Sequence, residues 1–317
     1  DNSIPVKDGL KLLSKINTIG LKPDTLLAVG GHLLKERMKP ERTVRRRTYQ
    51  SVLSFDVFYK LLKKEKPDFV TYFTNHVASS QHRYWAALFP DDYEDLRFDQ
   101  QWINTYNNEI LFTMDETDKM LRKLSRFVNQ NPEYKLVLSS SMGQNAVESE
   151  PLETQLYIVD HDKFFRSFGI EPGEYELLPS MLPQFNYEVK AGKSAEFKQK
   201  LDSMTINGIP AKYRDLGSDR FSLDFCQQNL KSVEIKIDDQ IVVFDQSGLK
   251  NVEIEDKSNA TAYHIPEGHL FVYHPSFGTS EMSEHQVPTC ELVPTFLKNF
   301  NVEIPDYAVA PSEHLLS

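Results

Sequence analysis

Pro67-Asp-Phe-Val-Thr-Tyr-Phe-Thr-Asn-His-Val-Ala-Ser-Ser-Gln-His-Arg-Tyr-Trp85 is the stretch on which a reading of this chain turns. Phe69 to Phe73 are all aromatic or β-branched, which predicts a buried strand. It empties into a polar loop carrying His76 and His82, followed by the aromatic pair Tyr84-Trp85. In α/β proteins ligands gather at the carboxyl ends of strands, so two imidazoles there mark a candidate site. The chain holds 9 histidines, and hydrogen-bonded structural imidazoles are the competing reading.

Working outward, residues 49–64 predict a helix with a broad apolar face (Val52, Phe55, Phe58, Leu62) and lysines near its end, where the helix dipole favours cations. Pro67 stops it. Residues 106–130 predict a long amphipathic helix, broken at Asn131-Pro132, and residues 134–139 a strand running into Ser140-Ser141-Met142-Gly143-Gln144. Strand, loop, helix and strand over residues 68–140 form a βαβ pattern, which implies a parallel pair with a right-handed crossover.

Toward the amino end, residues 1–47 predict a region helical in pieces, with a preceding segment as one of two readings and loss of that part of the fold as the other. Gly30-Gly31 has no phosphate-loop pattern after it. Lys39 to Arg47 concentrates Arg42, Arg45, Arg46 and Arg47. Such a run reads as a solvated helix face or as a contact for an anionic ligand, a lipid headgroup or an acidic partner.

Toward the carboxyl end, a strand at 155–159 precedes a helix at 161–168 that Asp160 caps and Gly169 closes. Residues 170–261 change texture, with Pro172, Pro179 and Pro183, a helix at 194–201, and Val233, Ile235 and Ile237 alternating with charged residues before an Asp238-Asp239 turn. They predict an inserted antiparallel α+β subdomain. Residues 262–307 return to the core with His264-Ile-Pro-Glu-Gly268, a strand at 270–273 and a proline-started helix within 287–300; 308–317 form a tail. The expected architecture is α/β, a mostly parallel central sheet flanked by helices, its core drawn from 48–169 and 262–307.

The 317 residues suffice for a full core, and 40% hydrophobic with 26% charged content excludes general disorder. A net charge of -10 argues against a nucleic-acid surface. Cys226 and Cys290, far apart and without a CxxC partner, build neither a disulfide framework nor a thiolate metal site, and fit a reducing, cytoplasmic compartment. No apolar run is long enough for a transmembrane helix. The chain opens on Asp1 without a signal peptide, as a processed product or a piece of something longer would.

Four ordered segments resemble the alkaline phosphatase superfamily, especially its phosphodiesterase, nucleotide pyrophosphatase and sulfatase-like branches. They are His82-Arg-Tyr-Trp85, similar to the D-x-x-x-H loop; Leu138 to Gln144, at the place of S-D-H-G; Tyr263 to Val272, similar to S-H-x-P-x-G-x-L; and Val293-Pro-Thr-Phe-Leu297 through Pro305, similar to the terminal signature. The resemblance implies a dinuclear site with phosphoryl or sulfuryl transfer chemistry, and it puts His82 and His264 on two metal-ligand positions.

Other positions depart from the family. Ala78 stands where an Asp is expected, Ser141 and Met142 where an Asp and a His are expected, and no strand ending in Asp precedes a nucleophile in residues 1–47. On this reading His76, His82 and His264 carry catalysis, with one zinc or manganese ion or none, and Arg83, Asn75, Ser141, Gln144 and His269 touch substrate. The implied function is a divergent phosphate- or sulfate-ester hydrolase or related transferase acting on a small ester, carbohydrate- or lipid-linked. The alternative is an inactive relative that binds a ligand or partner. Oligomeric state stays open.

Overall fold

The computed structural model describes residues 16–148, 152–225, 227–254, 260–278 and 286–312. Cys226, the opening residues 1–15 and the end of the expected tail, 313–317, lie outside these. The chain folds as two compact units, Asp1–Ser149 with Ala260–Ser317, and Glu150–Asn259.

The first unit opens with helices. After a short helical turn at Ile16–Ile19 come α1 (Pro23–Met38), a 3₁₀ turn at Pro40–Arg45, α2 (Arg46–Glu65), α3 (His76–Leu88), α4 (Gln100–Tyr106) and α5 (Glu109–Gln130). Proline at the first helical position starts α1, and Asp99 starts α4 by accepting from the Trp102 backbone N–H at 2.8 Å. Lys66, with φ of 42°, ends α2 in the left-handed conformation. The buried Asp56 on α2 accepts from the Lys22 backbone N–H at 3.1 Å and so holds the start of α1. Strands β1 (Leu136–Ser140) and β2 (Gly143–Ala146) follow.

The second unit comprises β3 (Thr154–Ile158), α6 (His161–Ser167), β4 (Tyr175–Leu178), β5 (Phe185–Val189), α7 (Ala191–Ser203), β6 (Thr205–Ile206), β7 (Ile209–Pro210), β8 (Tyr213–Gly217), β9 (Arg220–Leu223), β10 (Ile235–Ile237), β11 (Gln240–Val242) and β12 (Leu249–Glu253). Its sheets run β4-β5-β9-β8, β11-β10-β6-β7 and β12-β3, all antiparallel. Phe164, Phe165, Phe168, Tyr187, Phe197 and Phe221 fill its core, the Phe165 and Tyr175 rings stacking at 3.9 Å. Burying each such ring stabilises by about 2–3 kcal/mol. Asp160 caps α6 through the Lys163 N–H at 3.1 Å, and Asp238 and Asp239 both take positive φ (49° and 63°) at the β10–β11 turn, as two-residue hairpins require.

The chain then returns to the first unit with β13 (Ala262–Ile265), β14 (His269–Tyr273) and α8 (Leu292–Asn299). Strand β14 pairs antiparallel with β1 (Ser140 opposite His269), and β13 pairs antiparallel with β2 (Gly143 opposite Ile265). The result is one ribbon broken at Ser141-Met142 and at Pro266-Glu267-Gly268. Only glycine fits at the break: a Cβ on Gly268 would lie 1.7 Å from the Ser140 carbonyl oxygen.

The parallel central sheet expected from the sequence is not formed. The described residues carry five small sheets of two to four strands, all antiparallel. Residues 69–73 form no strand; Phe69 lies in a bend and packs on the Phe296 and Phe300 rings at 5.7 and 5.9 Å, and Phe73 stays 86% exposed. Strand propensity reports a fit to a neighbouring strand, and β1 takes its partner from β14. The stretch carrying His76 and His82, expected as a polar loop before Tyr84-Trp85, is part of the helix α3.

Candidate functional site

A polar cavity of about 580 Å³ lies in the first unit, lined by the 3₁₀ turn, α4 and the start of α5. One wall is cationic. A 3₁₀ helix repeats every three residues, so Lys39, Arg42 and Arg45 stack on one edge of the Pro40–Arg45 turn, and all three line the cavity. A second part of the lining is made of carboxamides and one hydroxyl. Gln100, Gln101, Asn104, Thr105 and Asn108 fall on one face of α4 and the turn after it, and all line the cavity.

Glu41 and Glu109 complete the lining. Glu109, at the first position of α5, is buried and receives three hydrogen bonds from Arg45: Nε to Oε1 at 3.0 Å, Nε to Oε2 at 2.8 Å and Nη2 to Oε1 at 2.6 Å. The Arg45 guanidinium also lies over the Phe112 ring at 4.2 Å. A fork this saturated is a fixed, neutral floor. Lys39 and Arg42 remain as the cations offered to the cavity. In the carboxamide part of the lining Gln100 Nε2 donates to Asn104 Oδ1 at 3.0 Å, and Thr105 Oγ1 donates to the Gln101 carbonyl at 2.7 Å. These bonds orient the carboxamide wall and leave further donor and acceptor positions on it.

The histidines singled out in the sequence separate into two environments. His76 is 3% exposed at the start of α3, with Nδ1 2.6 Å from Thr74 Oγ1 and Nε2 3.0 Å from Thr117 Oγ1. Burial pushes its pKa down, against smaller upward effects from the Thr113 backbone and Glu116.

His82 faces β13 instead. Its Nδ1–H donates to the Ala262 carbonyl at 2.6 Å, and its ring meets the His264 ring edge to face at 4.7 Å. Gln144 Nε2 donates to His264 Nδ1 at 2.9 Å. Burial pushes the His82 pKa down, the Ala262 carbonyl opposes this, and His264 and Arg83 add to it. The same contact pins α3 to the ribbon, since the Thr261 backbone N–H donates to the His82 carbonyl at 2.6 Å and Tyr93 Oη donates to the Thr261 carbonyl.

The other sequence candidates are spread along these elements. Arg83 turns back to Ser79, with Nη1 2.9 Å from its carbonyl oxygen and 2.5 Å from its hydroxyl. Asn75 is exposed just before α3, Ser141 is exposed at the ribbon break, and His269 is exposed on β14 opposite Ser140.

The dinuclear donor set implied by the resemblance does not fit these residues. His82 and His264 offer two imidazoles, and the described residues contain no group of three or more histidine, cysteine or acidic side chains placed to hold a metal. With that set missing and the sheets small and antiparallel, the alkaline phosphatase resemblance is overturned. The ester hydrolase and the inactive relative derived from it fall together, as do the phosphodiesterase and sulfatase-like assignments.

No protein-family model, no curated protein and no solved structure matches this chain. No described helix is long and apolar enough to cross a membrane.

The cavity residues are visible in the sequence only in part. The basic run from Lys39 stands out there, with an anionic ligand as one of its readings, but its one-edge arrangement depends on 3₁₀ rather than α geometry. The Gln100 to Asn108 wall falls where the sequence reads as linker and helix start. A spacing of i, i+1, i+4, i+5 and i+8 in amide and hydroxyl side chains is the available signal.

Proposed function

We propose that this protein binds a small, hydroxyl-rich anion, a sugar carrying a phosphate or sulfate ester, in the cavity lined by the 3₁₀ turn and α4. The carrying observation is the make-up of the lining: Lys39 and Arg42 from the 3₁₀ turn together with the carboxamide face of α4, around about 580 Å³. That volume suits a sugar-sized ligand. The cations supply charge-assisted hydrogen bonds to the ester oxygens, while Gln101, Asn104 and Asn108 have the paired donors and acceptors that ring hydroxyls need. Glu41 adds an acceptor at the rim.

Calorimetric titration tests this reading. Glucose 6-phosphate is expected to bind more tightly than either glucose or inorganic phosphate, with affinity falling as salt rises. Arg42→Ala is expected to weaken binding about tenfold or more, through loss of a charge-assisted contact. Equal, unspecific heats for all three ligands, or binding that Arg42→Ala leaves intact, would remove the proposal.

A further inference from the structure

Helix α1 buries the wrong face for an isolated amphipathic helix. Its inward residues include the polar Thr25 and His32, the latter 4.7 Å from the Tyr49 ring, whereas Leu27, Leu34 and Met38 stand 77%, 66% and 83% exposed. At 100° per residue Leu27, Gly31, Leu34 and Met38 fall within an arc of about 60°, opposite the buried side, with Gly30 beside them. Glycine inside a helix costs about 1 kcal/mol relative to alanine. A Cβ added at Gly30 or Gly31 meets nothing within 4 Å among the described residues, so no contact with them calls for glycine at either position. A bare backbone flanked by exposed leucines is what close approach of another helix uses.

We infer that this face packs against the same face of a second copy of the chain, the two α1 helices antiparallel about a twofold axis passing between Gly30 and Gly31. The sequence is self-complementary about that point. Leu27 of one copy falls level with Leu34 of the other, and the exposed Asp24 falls on the same flank as the other copy's exposed Lys35, about one half turn apart along the axis. The antiparallel arrangement thus places two symmetry-related pairs of opposite charge along one flank of the seam. One helix pair buries less than a standard interface of about 1,600 Å², which makes the dimer a weak, reversible one.

Sedimentation equilibrium of the full chain across micromolar concentrations tests this. Wild type is expected to pass reversibly from monomer to dimer. Gly31→Gln, which fills the bare backbone yet improves helix propensity, is expected to abolish the dimer while thermal stability holds or rises. Asp24→Lys should weaken the dimer by about threefold to tenfold by reversing two symmetry-related contacts, and Asp24→Lys with Lys35→Asp should restore it. A chain that is monomeric throughout, a dimer that survives Gly31→Gln, or a monomer whose Leu27 and Leu34 instead dock on anionic vesicles would overturn the inference.

Discussion

Arg45 and Glu109, far apart in sequence, meet in a bidentate fork at the floor of the polar cavity, with side chains 17% and 8% exposed. This contact ties the 3₁₀ turn to the start of α5. It also decides which charges face a ligand, because it removes one cation and one anion from play and leaves Lys39 and Arg42.

Breaking that fork should separate stability from binding. In Glu109→Gln the Arg45 guanidinium loses its carboxylate, and stability is expected to fall by about 2–4 kcal/mol. Affinity for a sugar phosphate should rise in the same variant, since a third cation becomes available. Urea unfolding and calorimetry on one preparation check both directions.

The buried imidazoles set an acid limit. Burial holds the pKa values of His76 and His82 below that of an ordinary histidine, with His264 and Arg83 reinforcing the shift at His82. The unfolded chain therefore takes up protons first as the pH falls. Their contribution is complete above about pH 6.5 and is lost as the pH drops through that value toward the folded-state pKa values. Chemical unfolding at a series of pH values should show this decline. His82→Asn, whose carboxamide donates to the Ala262 carbonyl in place of Nδ1–H, should make the decline shallower.

The ribbon break gives a steric prediction. A methyl at position 268 would lie 1.7 Å from the Ser140 carbonyl oxygen, so Gly268→Ala should cost about 2–4 kcal/mol by forcing β1 and β14 apart. Hydrogen exchange should show β1 and β14 amides losing protection, while the second unit, folded around Phe165 and Phe197, keeps its own.

The elements were more legible than their arrangement. The helices at 46–65 and 109–130 and the β10–β11 hairpin carry strong local patterns, and each lies close to its expected place. Pairing was not legible, because β1 and β2 find their partners in β14 and β13, more than a hundred residues away, and no local pattern announces that. Residues 69–73 had strand composition but no neighbour to pair with. The polar stretch 76–83 looked like a loop, although Tyr84, Ala87 and Leu88 give α3 an inward side that packs near Ile110. At the site, the basic residues were apparent and the carboxamide wall was not, since an amide-rich helix face has no hydrophobic signature.

The polar cavity is tested most directly by following side-chain amide signals in two-dimensional ¹H–¹⁵N spectra while glucose 6-phosphate is added. The account predicts that the carboxamide resonances of Gln100, Gln101, Asn104 and Asn108 shift in a saturable way, together with the Arg42 side chain, and that Arg42→Ala suppresses the change. Shifts confined to other parts of the molecule, or a spectrum unchanged at saturating ligand, would contradict it.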